Sequence, residues 1–171
     1  KLDVWPASGK LINWYLSDSS SMSMSDSRIY AVVVYGGFFE ASNSTMAYLQ
    51  VLGNSTYVNV SSSNVWYLTS FYTYAQCTLS DSSIGSIYTR FDGLARLVNS
   101  TYSSYDPWDT SRITVSWYLD VKVSDLGGIP LDFVNVTARY PNFTLIESKL
   151  TDANGLARFT LMEKMTNATG S

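Results

Sequence analysis

A five-residue block recurs through the first hundred residues of this chain. Each copy has two serines separated by one residue, then a polar residue and an apolar residue that opens a strand-like run; the copies begin at Ser25, Ser42, Ser61 and Ser80. A weaker fifth copy begins at Val98. The second positions of the blocks are 26, 43, 62, 81 and 99, so the successive steps are 17, 19, 19 and 18. A near-constant period of this size is typical of a solenoid, in which each coil buries its apolar face against its neighbours.

The residues between the blocks predict β-strands. They form β-branched and aromatic runs that end at Gly or Asn, followed by a second short run, at 29–35 and 38–41, 46–52 and 56–60, 65–71 and 74–79, and 84–91 and 94–98. Two or three strands per coil predict a short parallel β-helix over residues 1–105. The recurring serines are expected to stack from coil to coil, with hydroxyls that satisfy backbone groups at a corner.

Residues 1–24 are interpreted as a cap or an irregular first coil. They contain a serine-rich turn with Met22 and Met24, which we expect to fill a gap in the core rather than to bind a soft metal.

A different pattern begins after residue 109. Alternating residues place one apolar set on a single face of a long strand: Ile113, Val115, Trp117, Leu119, Val121 and Val123. Asn154-Gly155 is a strong hairpin signal. Residues 110–171 therefore predict an antiparallel immunoglobulin-like β-sandwich, and the whole chain is expected to be all-β.

Composition argues against several function classes. Histidine is absent, Cys77 is the only cysteine, and the net charge is −3 with 15% charged residues. The sequence lacks the basic surface of a nucleic-acid-binding protein and any apolar run of about 18 residues that would span a membrane. We predict no catalytic residue, no cofactor and no metal site, and we interpret Cys77 as a buried structural thiol.

The asparagines favour an extracellular location. Seven of the ten lie in Asn-X-Ser/Thr, where random placement would put about two or three. The sequence therefore predicts N-linked glycans and an extracellular, cell-surface protein. The alternative is that some of these asparagines are turn or ladder residues without sugar. The predicted sites are Asn43, Asn54, Asn59, Asn99, Asn135, Asn142 and Asn167.

Two stretches resemble a known family of domains. Residues 117–131 are similar to the opening of carboxypeptidase-regulatory-like sandwich domains, and residues 151–159 to their second signature. The serine blocks resemble the right-handed parallel β-helix repeats that often precede such sandwiches in archaeal surface proteins. This resemblance implies a structural or adhesive glycoprotein with no catalytic residues to carry over. In that family the sandwich continues past residues 162–171, which implies that this chain is a fragment or receives the missing strand from another subunit.

Three functions follow from these patterns. The leading one is a building block of a cell-surface filament, sheath or surface layer, which self-assembles or joins other surface proteins, with strand donation as one route. The alternative is a carbohydrate-binding or adhesion module that uses Trp66, Tyr67, Trp108 and Trp117, although core packing is the favoured interpretation of each.

The third function, a polysaccharide lyase or glycosidase, is the least favoured. It would require Asp81, Arg90, Asp92 and Arg96 to cluster on one face. Asp106 and Asp109 are candidate calcium ligands, although a capped turn is the favoured interpretation of both.

Overall fold

The computed structural model describes residues 3–4, 13–16, 20–70 and 74–167. In this described part the chain forms sixteen β-strands. It divides into two compact units, one made of Lys1–Ser116 with Met162–Ser171, and the other of Trp117–Leu161. Each unit is described by itself.

The first unit contains two sheets, called here the long-strand sheet and the short-strand sheet. The strands of the long-strand sheet are β1 (Asp3–Val4), β2 (Asn13–Leu16), β4 (Arg28–Val34), β6 (Thr45–Val51), β8 (Asn64–Ser70), β10 (Ser83–Thr89) and β12 (Thr101–Pro107). Those of the short-strand sheet are β3 (Ser21–Ser25), β5 (Phe38–Ser42), β7 (Tyr57–Ser61), β9 (Gln76–Ser80), β11 (Leu94–Val98), β13 (Arg112–Lys122) and β16 (Leu156–Asn167). Of the last two strands, only the residues up to Ser116 and from Met162 onward belong to the first unit.

The two sheets make a parallel β-solenoid of about five turns. Neighbouring strands from β4 to β12 in one sheet, and from β3 to β13 in the other, pair in parallel. One coil is thus a seven-residue strand followed by a five-residue strand. The predicted parallel β-helix is confirmed, with two strands per coil.

One connection in each coil accounts for the uneven period. The corner from a short to a long strand always has two residues, as between β5 and β6. The connection from the long to the short strand has three residues after β4, five after β6, five after β8 and four after β10. Strand lengths and the corner are constant, so the unequal steps between successive blocks arise in this second connection alone.

The core consists of apolar side chains stacked in columns along the paired strands. One column of the short-strand sheet is Phe39, Val58, Cys77, Ala95 and Ile113, and one column of the long-strand sheet is Val32, Leu49, Leu68 and Ile87. All of these side chains are buried. Met24 is also buried and Met22 packs against the core, which confirms their interpretation as core residues.

The long strands bend at their third residue, which the pairing register omits in every pair from β4 to β12. The inward residues are therefore the second, fifth and seventh, such as Ile29, Val32 and Val34. Trp66 is the third residue of β8 and is 47% exposed, so the expectation that it packs in the core is wrong. In a strictly alternating strand every second residue would face inward. Here two residues, the third and the fourth, separate the first two inward positions.

The repeating coils end within β13. Its first five residues, Arg112–Ser116, pair with β11 as in every earlier coil. If the coils continued, the next corner would begin at Trp117, which follows Asn99 by the length of one coil. Trp117 instead stays within β13. Trp117 is 39% exposed, so its expected burial on the inward face is also wrong.

The second unit contains an antiparallel pair of strands. β14 (Asn135–Arg139) pairs with β15 (Leu145–Leu150), with an irregularity at Ala138/Arg139. The predicted Asn154-Gly155 turn is present, with Gly155 at φ 71° and its N–H donating to the Asp152 carbonyl at 2.8 Å. The antiparallel character is confirmed, whereas the immunoglobulin-like sandwich stays a prediction.

Candidate functional site

The corner of each coil is closed by one buried serine, at Ser27, Ser44, Ser63, Ser82 and Ser100. Each of these serines donates from Oγ to the carbonyl two residues earlier, at 2.6–2.9 Å. Each Oγ from Ser44 to Ser100 also accepts the N–H of the matching serine one coil earlier, at 3.0–3.2 Å. The hydroxyls thus satisfy the buried serine N–H groups that the turn removes from the strand ladder. The carbonyls of Ser42, Ser61, Ser80 and Val98 also accept a backbone N–H from the coil before.

The residue before each corner serine is left-handed. Asp26, Asn43, Ser62, Asp81 and Asn99 have φ between 47° and 50°. Asp and Asn adopt this conformation more readily than other non-glycine residues, since their short polar side chains bond locally. The turn therefore holds these side chains on the outside of the corner, and Asp26, Asn43, Asp81 and Asn99 are exposed.

Six of the seven sequon asparagines are exposed and Asn167 is half-buried. The repeat supplies four of them: Asn43 and Asn99 at corners, Asn54 between β6 and β7, and Asn59 within β7. Asn43 and Asn99 occupy equivalent corners, and both side chains lie outside the core.

Asn99, Asn135 and Asn142 each form a side-chain hydrogen bond, and Asn142 Oδ1 accepts the Thr144 N–H at 3.1 Å. Asn99 Nδ2, the atom to which an N-linked sugar is bonded, donates to Asp81 Oδ1 at 2.7 Å. In the second unit, Asn135 Oδ1 accepts from the Ser148 hydroxyl. The Asn99–Asp81 bond joins neighbouring corners, which is the ladder arrangement that the sequence offered as the alternative to a glycan at Asn99.

Three of the charged residues considered for an enzyme or a cation site, Asp81, Arg90 and Asp106, have other contacts. Asp81 is the partner of Asn99, and the Arg90 guanidinium lies 4.9 Å from the Trp108 ring centroid. Asp106 Oδ2 accepts the Trp108 indole N–H at 3.0 Å, and Asp109 is left-handed at φ 56° in the turn that follows. Within the described residues no three His, Cys, Asp or Glu side chains converge as a metal site would require.

Cys77 is fully buried, and desolvation raises the pKa of its thiol to about 12. The thiolate is the reactive form, so this cysteine is chemically inert while the coil is folded. The expectation of a buried thiol is confirmed.

Aromatic side chains line the outer face of the long-strand sheet, and their alignment was not predicted from the sequence. The Tyr30 and Tyr48 ring centroids are 5.4 Å apart at 55°, and those of Tyr48 and Tyr67 are 5.0 Å apart at 14°. The sequence contained a signal for this alignment, since Tyr48 and Tyr67 have the same separation along the chain as the neighbouring corner residues Asn43 and Ser62.

Comparisons with known protein families, curated proteins and solved structures found no match to this chain. The resemblance to carboxypeptidase-regulatory-like domains and to archaeal repeats therefore stays a prediction. Among the described residues, no helix has the length and apolarity needed to cross a bilayer.

Proposed function

We propose that this protein is a structural glycoprotein of the cell exterior, a building block of a filament, sheath or surface layer of the archaeal kind that the sequence resembles. The observation that carries the proposal is the combination of a continuous parallel ladder with sequon asparagines exposed along it. The ladder supplies a rigid body, because each coil bonds to its neighbours through backbone groups. The exposed amides supply places for sugars that would shield the outer surface.

Assembly with other chains is supported by the second unit. It exposes large apolar side chains, among them Leu126, Phe133, Phe143, Leu145 and Leu150. Soluble monomers rarely leave extensive apolar surface uncovered, and such surface is typical of interaction sites. We propose that a strand from another copy or from another surface protein covers these residues.

Glycosylation is tested by mapping occupied asparagines in protein isolated from its native source. Peptide mass spectrometry should find sugar on Asn43, Asn54, Asn59, Asn99, Asn135 and Asn142, and lower occupancy at half-buried Asn167. Sequon peptides that all have unmodified masses would overturn the extracellular glycoprotein proposal.

Assembly is tested with the purified chain by sedimentation velocity over a range of concentrations. Polymers or discrete oligomers are expected, and a Leu145→Asp/Leu150→Asp variant should shift the distribution toward monomer. The matched control is Tyr57→Asp on the short-strand sheet, which should leave the distribution unchanged. A monomer at every concentration would contradict self-assembly.

Carbohydrate binding is the second candidate function. It is favoured by the exposure of all four aromatics considered for it, Trp66, Tyr67, Trp108 and Trp117. Aromatic rings at the surface combine a flat apolar face with a polar edge, which suits sugars.

A further inference from the structure

The outer face of the long-strand sheet changes abruptly between β8 and β10. On the β8 side are Trp66 and Tyr67, which are 47% and 41% exposed. The matching positions of β10 are Gly85 and Ser86, with Ser86 paired to Tyr67 in the register. The following strand carries Ser103 and Ser104. We call the group Trp66, Tyr67, Gly85, Ser86 and Ser104 the aromatic step.

The Tyr67 ring forms the wall of this step. One of its faces is stacked on Tyr48, with centroids 5.0 Å apart and an angle of 14°. Its opposite face is therefore directed toward the β10 side, where the paired side chain is only the short Ser86. Among the described residues, the column of stacked aromatics thus stops at Tyr67, with no further aromatic on its other ring face.

Hydroxyls and backbone form the floor of the step. The Ser104 hydroxyl donates to Ser86 Oγ at 2.9 Å, so the two serines present linked donors and acceptors at the surface. Gly85 adds no side chain to this surface, and a Cβ there would lie 2.4 Å from the Trp66 carbonyl oxygen. Any larger residue at position 85 would require the backbone to move.

The strands on both sides of Tyr67 carry no charged residue and no sequon. Strands β6, β8 and β10 contain no Asp, Glu, Lys or Arg, and none of the seven-residue strands contains a sequon asparagine. The protein's own glycans would therefore be attached elsewhere. Asp106 of β12, two residues from Ser104, accepts the Trp108 indole N–H. A flat aromatic face beside uncharged hydroxyls complements a pyranose ring, which has an apolar C–H face and polar edges.

We propose that the aromatic step binds a neutral polysaccharide, with a sugar ring stacked on Tyr67 beside Trp66 and sugar hydroxyls bonded to Ser86 and Ser104. This inference rests on the second candidate function and names its site. It does not depend on the structural role of the solenoid.

The test uses the full chain and isothermal titration with hexasaccharides of β-1,4-linked glucose, β-1,4-linked N-acetylglucosamine, α-1,4-linked glucose and α-1,6-linked mannose. Hexagalacturonate serves as the charged comparison and should bind more weakly than the neutral probes. Trp66→Ala and Tyr67→Ala should each weaken binding about fivefold to tenfold, as expected for loss of one aromatic contact. Tyr57→Ala, which removes an exposed ring on the other sheet, should leave binding unchanged.

A filling variant separates binding from stability. Ser86→Tyr should continue the stacked column over the Tyr67 ring, abolish binding and leave the urea midpoint the same or higher. Binding that persists in Ser86→Tyr, Trp66→Ala and Tyr67→Ala would overturn the site while keeping carbohydrate binding as a function. No binding of any probe by the wild-type chain would overturn both. Self-association that is lost in Trp66→Ala, without sugar binding, would overturn the sugar site and assign the step to a second copy of this chain.

Discussion

Each corner serine from Ser44 to Ser100 acts on two coils at once. Its hydroxyl donates to a carbonyl in its own coil and accepts an N–H from the coil before, as Ser63 does with Ser61 and Ser44. A hydroxyl has one donor and two acceptor positions, so one small side chain satisfies both groups. Because the site is buried, losing the hydroxyl leaves the Ser44 N–H without a partner at the full cost of an unpaired polar group, whereas the Ser61 carbonyl still accepts the Asn43 N–H at 3.2 Å.

Ser63→Ala should lower the free energy of unfolding by about 1–3 kcal/mol, since it leaves the Ser44 N–H and the Ser61 carbonyl without this partner. Urea denaturation measures the change. The control is Ser83→Ala, which removes an exposed hydroxyl beside the corner of the next coil and should change stability by less than about 0.5 kcal/mol. Equal effects of the two variants would contradict the role of the buried hydroxyl.

Cys77 should react with a thiol reagent only after unfolding. Its burial and its pKa of about 12 leave almost no accessible thiolate at pH 8. The rate of modification by a chromogenic disulfide should therefore rise in parallel with the unfolded fraction as urea is added. Rapid modification in the absence of urea would show that the coil opens locally around this residue.

The roles of the corner serines and of Cys77 were predictable from the sequence, because repeat position and residue type both pointed to them. The exposure of Trp66 and Trp117 was not. Alternation counted back from the inward Leu68 would place Trp66 inward, but the pairing register skips the third residue of β8 and Trp66 faces outward. Trp117 lies beyond the residues of β13 that pair with β11. Neither feature has a signal in local composition.

The two connections of a coil differ in how much their lengths vary from coil to coil. The corner always has two residues, with a left-handed residue followed by the buried serine. The opposite connection has three to five residues and absorbs every change in period. Loop length contributes weakly to stability when the flanking strands are fixed, which explains why this end tolerates variation.

Inserting Gly-Ser between Tyr35 and Gly36 should therefore cost no more than about 1 kcal/mol, because the lengthened connection would match the five residues found in the next two coils. The same insertion between Asp26 and Ser27 should cost several times more, since it displaces the serine from both of its partners. Urea midpoints of the two variants compare the sites directly. A larger loss from the first insertion would contradict this division of roles.

At the scale of the whole molecule, the solenoid was predictable and the arrangement of the rest was not. Period, strand composition and corner serines together specified parallel coils. The second unit offered only alternation and turn signals, which do not define how its strands pair. The sandwich expected there remains untested beyond the β14–β15 pair.

The second unit should be the acid-sensitive part. Hydrogen bonds from Arg158 lower the pKa of Asp120, and the backbone N–H groups of Leu156 and Asn154 lower that of Asp152. A lowered pKa adds stability above the unfolded value of about 3.9, and this is lost as the pH falls through the folded value. Hydrogen exchange of residues 117–161 should be constant from pH 7 to 5, after correction for intrinsic rates, and reveal weaker protection below about pH 4.

An Asp120→Asn/Asp152→Asn variant should show a smaller loss of protection over the same acid range, because neither amide titrates there. An unchanged acid response in this variant would assign the sensitivity to other carboxylates.

The invariant corner has a consequence for how such a chain changes over time. A segment cut from one left-handed residue to the next begins and ends in the same local geometry, so a duplicated segment rejoins its neighbours without a new type of joint. Gene duplication could then lengthen the body in whole coils, with each addition bringing its own buried column, its own serine and a fresh position for an asparagine.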